Sequence, residues 1–213
     1  MNSVQNTARA QLRIMIVDDH PMVREGLAGI LERQEMLIVG LASTGRQAIE
    51  MFARYMPDIL LLDLRLPDQS GIEVTRKILA DYPDAKIIFL SSSQGDASIY
   101  DAINSGAVGY LVKGIDGTTL GDGIRRVAAG GRCLSPDAAE KLTQYVASKK
   151  LSDREIEVLQ LVSRGNSNKE IAKLLFVTED TAKMHVKKIL QKLRANDRTQ
   201  AVVIAIQRGL LDA

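Results

Sequence analysis

The sequence predicts two domains of different class: an open, doubly wound α/β domain with a five-stranded parallel sheet, and a small all-α domain of four helices. Three observations carry this. Up to residue 132, short apolar runs alternate with segments of helical periodicity, the pattern of strands covered on both faces by crossover helices. From residue 151, four helical segments follow one another, each opened by a polar capping residue. The length of 213 residues suits two small domains at ~100–200 residues per domain.

In the first half, Leu12–Val17 is an apolar run ending in Asp18-Asp19. Pro21–Gln34 has helical spacing at Met22, Leu27, Ile30 and Leu31, and Leu37–Ala42 is the second strand. Gly45–Arg54 is helical, Ile59–Leu62 is the third strand and ends at Asp63, and Gly71–Tyr82 is helical. Lys86–Leu90 is the fourth strand and runs into Ser91, Ala97–Asn104 is helical, and Val108–Val112 is the fifth strand, ending at Lys113. A helix over Gly117–Ala129 closes the domain at Gly130-Gly131.

Composition excludes several classes. With 46% apolar and 25% charged residues the chain is neither disordered nor membrane-spanning, and no stretch nears ~18 consecutive apolar residues. The first eleven residues are polar, without the apolar core of a secretory signal. A single cysteine, Cys133, and two histidines give no zinc cluster. A cytoplasmic protein is expected. Net charge is +2, unevenly spread: residues 1–150 hold 17 basic and 18 acidic side chains, residues 151–213 hold 11 and 8. Residues 181–194 contain five Lys/Arg and no Asp/Glu, a candidate footprint for nucleic acid, though many such runs are solvated helix faces.

In an open parallel sheet, ligands gather beyond the carboxyl ends of the strands where the strand order reverses. Asp18, Asp19, Asp63, Ser91 and Lys113 all stand at strand ends. Carboxylates crowded together repel one another and invite a hard divalent cation with oxygen ligands, and Mg²⁺ suits a site that also engages a phosphoryl group. No GxGxxG follows strand one and no GxxxxGK[ST] occurs, so the phosphoryl group is not held as a nucleotide by those loops.

The run IMIVDDHPMVREGL, with PDILLLDLRLPDQSGIE, IIFLSSS and GAVGYLVK, resembles the receiver domain of two-component response regulators over about residues 11–132. The resemblance implies the flavodoxin-like receiver fold and phosphorylation of Asp63 by a sensor histidine kinase. It implies Mg²⁺ held by Asp19, Asp63 and the backbone carbonyl of Arg65, with Asp18 acting through water. Lys113 would pair with carboxylate or phosphoryl oxygens, Ser91 would hydrogen-bond the phosphoryl group, and Tyr110 would turn inward as Ser91 moves. Two positions depart from the family: Gly114 stands where many receivers have proline, and Ser91 where threonine is commoner.

In the second half, Ser152-Asp153-Arg154-Glu155 and Ser167-Asn168-Lys169-Glu170 are capping boxes, and Arg164-Gly165 ends the first helix with a left-handed glycine. Thr178 caps a third helix running to about Leu193, and Asp197 opens a fourth running to Gly209. Two short helices joined by a tight turn, the second basic, form a helix-turn-helix. On the third helix Val186, Ile189, Leu190 and Leu193 form the buried side, while Lys183, Met184, Lys187, Lys188 and Gln191 face away. Residues 151–210 closely resemble the LuxR-type helix-turn-helix of the NarL/FixJ class. The resemblance makes Thr178–Leu193 the recognition helix, with Lys183, Met184 and Lys187 facing bases. It sets Asn168, Lys169, Thr181 and Lys188 near phosphates, and Val202, Ala205 and Ile206 on a dimer seam.

The reading is a DNA-binding transcriptional response regulator, not an enzyme. It has a disordered tail (1–11), a receiver (12–132), a linker with a helix (133–150) and a DNA-binding domain (151–213). It binds double-stranded promoter DNA as a homodimer, with no membrane partner. Two rivals are weighed. A Mg²⁺-dependent phosphohydrolase commonly needs an acid two residues after the nucleophile, where this chain has Arg65. An atypical, phosphorylation-independent regulator or protein-interaction module would not need the set Asp18, Asp19, Asp63, Ser91 and Lys113. The stimulus, the kinase, the promoters and the sign of regulation are not written in the sequence.

Overall fold

Parallel strands need a crossover between each pair, and the chain supplies a helix for every one. The computed structural model describes residues 11–92, 95–147 and 151–211. The expected tail, up to residue 10, and residues 148–150 of the expected linker lie outside them. The order is β1 (Arg13–Val17), α1 (Pro21–Glu32), β2 (Leu37–Ala42), α2 (Gly45–Tyr55), β3 (Ile59–Leu62), α3 (Gly71–Asp81), β4 (Ile87–Ser91), α4 (Asp96–Asn104), β5 (Gly109–Val112), α5 (Gly117–Ala128) and β6 (Cys133–Leu134). Then follow α6 (Pro136–Ala147), α7 (Asp153–Ser163), α8 (Asn168–Leu174), α9 (Glu179–Leu193) and α10 (Arg198–Gln207). The chain divides into two compact units, one of residues 1–92 with 102–135, the other of 93–101 with 136–213.

In the first unit the strands lie in the order β2-β1-β3-β4-β5-β6, every neighbouring pair parallel. The order reverses between β1 and β3, which fixes where a crevice opens. The central strands are apolar throughout because both faces are covered: Ile14 to Val17, Ile59 to Leu62 and Ile87 to Leu90 are all buried. β2, on the edge, keeps Leu37 and Leu41 exposed. The helices start on local signals: Thr44 caps α2 by accepting from Gln47 N, Ser70 caps α3 from Glu73 N, and Asp116 caps α5 from Thr119 N.

The sheet has six strands, which corrects the expected five. After α5, Cys133 N donates to Val108 O at 3.1 Å and Ser135 N to Tyr110 O at 3.1 Å. Pro136 has no N–H to continue this ladder and instead begins α6. Two residues are too few to show as an apolar run, and Cys133 and Leu134, expected in the linker, belong to the strand.

In the second unit, α7 to α10 surround one core: Val158, Leu159 and Val162 from α7, Ile171 and Ala172 from α8, Ala182, Ile189 and Leu193 from α9, and Ala201 and Ala205 from α10. Val186 and Leu190 pack against it, partly buried. Both expected capping boxes form, and Gly165 adopts a left-handed φ of 84°. Glu155 does two jobs. Its carboxylate accepts from Ser152 N at 2.7 Å, closing the box, and pairs with Lys192 Nζ of α9 at 2.6 Å. Burial pushes the Glu155 carboxyl up, but Lys192 and the Ser152 N–H outweigh it and hold it below the ordinary 4.5.

A carboxyl held below its unfolded value adds stability above that value and loses it as pH falls through the folded one. Glu155→Gln should therefore destabilise the α7–α9 packing by about 2 kcal/mol at pH 7, less than a fully buried pair would lose because Lys192 keeps some contact with water. The measurement is amide hydrogen exchange in α7 and α9. It should be faster in the variant at pH 7, with the gap from wild type closing as pH falls below 4.5.

Candidate functional site

The sheet ladder runs on past the strands and delivers the polar residues to one place. Asp18 N donates to Ala42 O at 3.1 Å, Asp63 N to Val17 O at 2.8 Å, and Lys113 N to Ser91 O at 3.0 Å. Each site residue is thus the next rung of a strand whose register is set by its apolar side chains. Lys113 Nζ lies 2.7 Å from Asp18 Oδ2 and 2.6 Å from Asp63 Oδ2, bridging the ends of β1 and β3. Asp18, Asp63 and Ser91 are buried, while Asp19 and His20 are exposed at the mouth. One donor atom from each of Asp18, Asp19, His20 and Asp63 falls within 4.8 Å of all the others.

Burial pushes the Asp63 carboxyl up, and the Asp18 charge adds to that push; Lys113 offsets part of it. For Lys113, burial alone would lower the ammonium, but its bonds to Asp18 and Asp63 overcome this and raise it. The site therefore holds one cation between two carboxylates, with a third carboxylate beside them.

The second surface is α9, fifteen residues and about 22 Å long at 1.5 Å per residue. It follows α8 after a short turn, and Thr178 caps it by accepting from Thr181 N. Lys183, Met184, Lys187, Lys188 and Gln191 are all exposed along one side, opposite Ala182, Ile189 and Leu193 in the core.

The first half of this chain matches the response regulator receiver domain over residues 14–125, and residues 149–205 match the bacterial regulatory proteins of the luxR family. The chain is a two-component response regulator of the NarL/FixJ class. Its relatives are alike over nearly their whole length. The transcriptional regulatory protein LnrK of Bacillus subtilis is 36% identical over 93% of this chain and 98% of that protein. The response regulator protein VraR of Staphylococcus aureus is 34% identical over 94% and 99%. Among solved structures, the response regulator ChrA of a heme-sensing two-component system is 34% identical, covers 94% of this chain and 99% of its own, and has a TM-score of 0.55. RcsB of Salmonella typhimurium is 25% identical over 91% of this chain and 98% of its own, with a TM-score of 0.73. This regulator is accordingly a DNA-binding transcription factor with a receiver.

The structure brings Asp18, Asp19, Asp63 and Lys113 of the regulator together, with Arg65 beside them: its N–H reaches Asp63 Oδ1 at 3.4 Å. Three carboxylates grouped at one spot are an oxygen-rich set that fits a hard divalent cation. Tyr110 is fully buried, its ring centroid 6.3 Å from that of Phe89, so it already points inward. On the DNA-reading unit the side chains vary. Lys183 folds back on Glu179 at 3.0 Å, and that hydrogen bond raises its ammonium. Asn168 Oδ1 accepts from Arg198 Nη2 at 3.1 Å, and the Thr181 hydroxyl bonds that of Thr178 at 2.8 Å. Lys169, Lys187 and Lys188 are exposed. Of the residues that the resemblance sets on the dimer seam, Ala205 lies in the core, whereas Ile206 is exposed and Val202 partly so; Val203, which the resemblance did not set there, is exposed beside them.

Two residues at the acidic site escaped the sequence reading. His20 Nδ1 lies 2.6 Å from Asp19 Oδ1, and Arg24 Nη1 donates to the Asp18 carbonyl at 2.6 Å. His20 directly follows the acidic pair and Arg24 is one helical turn further on, a spacing that could have flagged both.

Gly71, at the start of α3, is packed against the backbone of Asp63. A Cβ there would fall on the Asp63 carbonyl oxygen and lie 2.9 Å from Phe89 Cε1. Gly71→Ala should push the end of β3 out of place. We expect a lower melting temperature and at least tenfold slower labelling of the regulator by acetyl phosphate, measured by intact mass.

Proposed function

We propose that Asp63 is the phosphoacceptor of a sensor histidine kinase and that its modification controls promoter binding by α9. The observation that carries this is the buried Asp63 carboxylate at the end of β3, 2.6 Å from Lys113 and grouped with Asp18 and Asp19. In the transfer, an Asp63 carboxylate oxygen forms a bond to phosphorus as the phosphorus–nitrogen bond of a kinase phosphohistidine breaks, and the imidazole leaves with a proton from solvent. Such reactions depend mostly on positioning and charge neutralisation. Asp18, Asp19, Asp63 and the Arg65 carbonyl would hold Mg²⁺, which supplies positive charge to the phosphoryl oxygens when bound. Lys113 is placed to pair with one of those oxygens, and Ser91, at the end of β4, to hydrogen-bond another. The new charge of about −1.5 to −2 must be paired, and its pairing pulls on β4 and on buried Tyr110 in β5.

The receiver is taken as residues 12–132, the linker as 133–150 and the DNA-binding domain as 151–213. Lys183, Met184 and Lys187 are the proposed base-facing residues, with Lys183 released from Glu179 on DNA. Asn168, Lys169, Thr181 and Lys188 lie on the phosphate side. The dimer seam is on α10, where Val202, Val203 and Ile206 offer apolar surface and Ala205 packs beneath them. Among the described residues no helix is long and apolar enough to cross a membrane, and we place the regulator in the cytoplasm with its DNA.

Acetyl phosphate with Mg²⁺ should add one phosphoryl group to the wild type and none to Asp63→Asn, read by mass. In gel-shift titrations the phosphorylated wild type should bind its promoter at least tenfold tighter than Asp63→Asn. Equal affinity would remove the switch. Lys188→Ala should weaken binding to all sequences alike and reduce the slope of log affinity against log salt by about 1, as loss of one phosphate contact does.

A further inference from the structure

The loop from Asp63 to Gly71 carries Arg65, and its shape decides where the Arg65 carbonyl sits. It is internally a hairpin: Arg65 and Ser70 form an antiparallel bridge, and Gly71 N donates to Leu64 O at 2.8 Å. Those bonds fix the loop's form but do not orient it on the domain. Asp68, at its tip, does. Asp68 Oδ1 accepts from Gly45 N at 2.8 Å and Oδ2 from Arg46 N at 3.0 Å.

Both donors belong to the first turn of α2, where backbone N–H groups have no partner inside the helix. Thr44 takes the next one, Gln47 N, from within its own segment. The start of α2 is thus shared between a local cap and a carboxylate 23 positions away in the chain. Burial pushes the Asp68 carboxyl up, but the backbone N–H groups of Gly45 and Arg46, with those of Asp68 and Gln69, together outweigh it and hold the carboxyl below its ordinary value, so the tie is charged. Charge-assisted bonds of this kind are roughly twice as strong as neutral ones. Gln69, the next residue, is held in turn by Lys77 Nζ of α3 at 2.6 Å.

We propose that Asp68 is a positioning residue: by tying the β3–α3 loop to the start of α2 it holds the Arg65 carbonyl beside Asp63, and so sets the affinity of the acidic site for a divalent cation. The proposal rests on the reading of that site as the Mg²⁺ and phosphoacceptor site.

Calorimetric titration of the full chain with Mg²⁺ tests it, with melting temperatures measured in parallel. Asp68→Ala should weaken Mg²⁺ binding roughly tenfold, the lower range for loss of a residue that orients metal ligands. Asp68→Asn, which keeps one acceptor oxygen for α2, should fall between Asp68→Ala and wild type. Thr44→Ala removes a cap from the same helix without touching the loop. It should lower the melting temperature and leave Mg²⁺ affinity unchanged, a result that a merely structural role for Asp68 does not produce. Mg²⁺ affinity of Asp68→Ala within twofold of wild type, or an equal weakening in Thr44→Ala, overturns the proposal. A wild type that binds no Mg²⁺, or that binds it no better than Asp63→Asn, instead overturns the reading of the site, and the role of Asp68 falls with it.

Discussion

One ammonium group, on Lys113, sits between carboxylates from two different strands, and the architecture of the first unit serves that contact. Asp18 and Asp63 can meet only because β1 and β3 are neighbours at the point where strand order reverses. Lys113 reaches them from the end of β5 because β4 and β5 are paired in register through Ser91 and Val112. Burial makes the Asp63 charge costly and Lys113 makes it tolerable. A group in that condition responds strongly to any added positive or negative charge, since little water is present to screen it.

The second unit solves a related problem with a single side chain. Glu155 has water on almost no side, yet each of its strong partners answers a separate structural need. The Ser152 N–H belongs to the start of α7, and Lys192 belongs to the last turn of α9. The proposed recognition helix, α9, is therefore anchored at its far end, while its outward side chains stay exposed. Lys183, at i+4 from Glu179, has a local anionic partner on the same helix.

Much of this was legible in the sequence, for identifiable reasons. Asp18, Asp63 and Lys113 stand out because each directly follows an apolar run, so chain order alone puts them at strand ends. The capping boxes at Ser152 and Ser167 are readable because both partners lie within four residues. The missing parts are those defined by partners distant in the chain. β6 exists only as a pairing with Gly109 and Tyr110, and its two residues carry no period of their own. The bonds from Gly45 and Arg46 to Asp68 likewise leave no local trace. On α10 the difficulty is different: Ala201 through Ile206 is apolar all round, so spacing does not say that the core takes Ala205 and leaves Val203 outside.

The paired capping boxes also bear on how the DNA-reading unit comes into being. Each of the helices α7 to α10 starts on a cap within its own first turn, and one core joins the four of them. Structures built from such short-range agreements assemble quickly, because little loop entropy is lost before contacts form. Instructions that are local travel with the segment that carries them, so the four helices α7 to α10 need no distant strand or loop in order to begin.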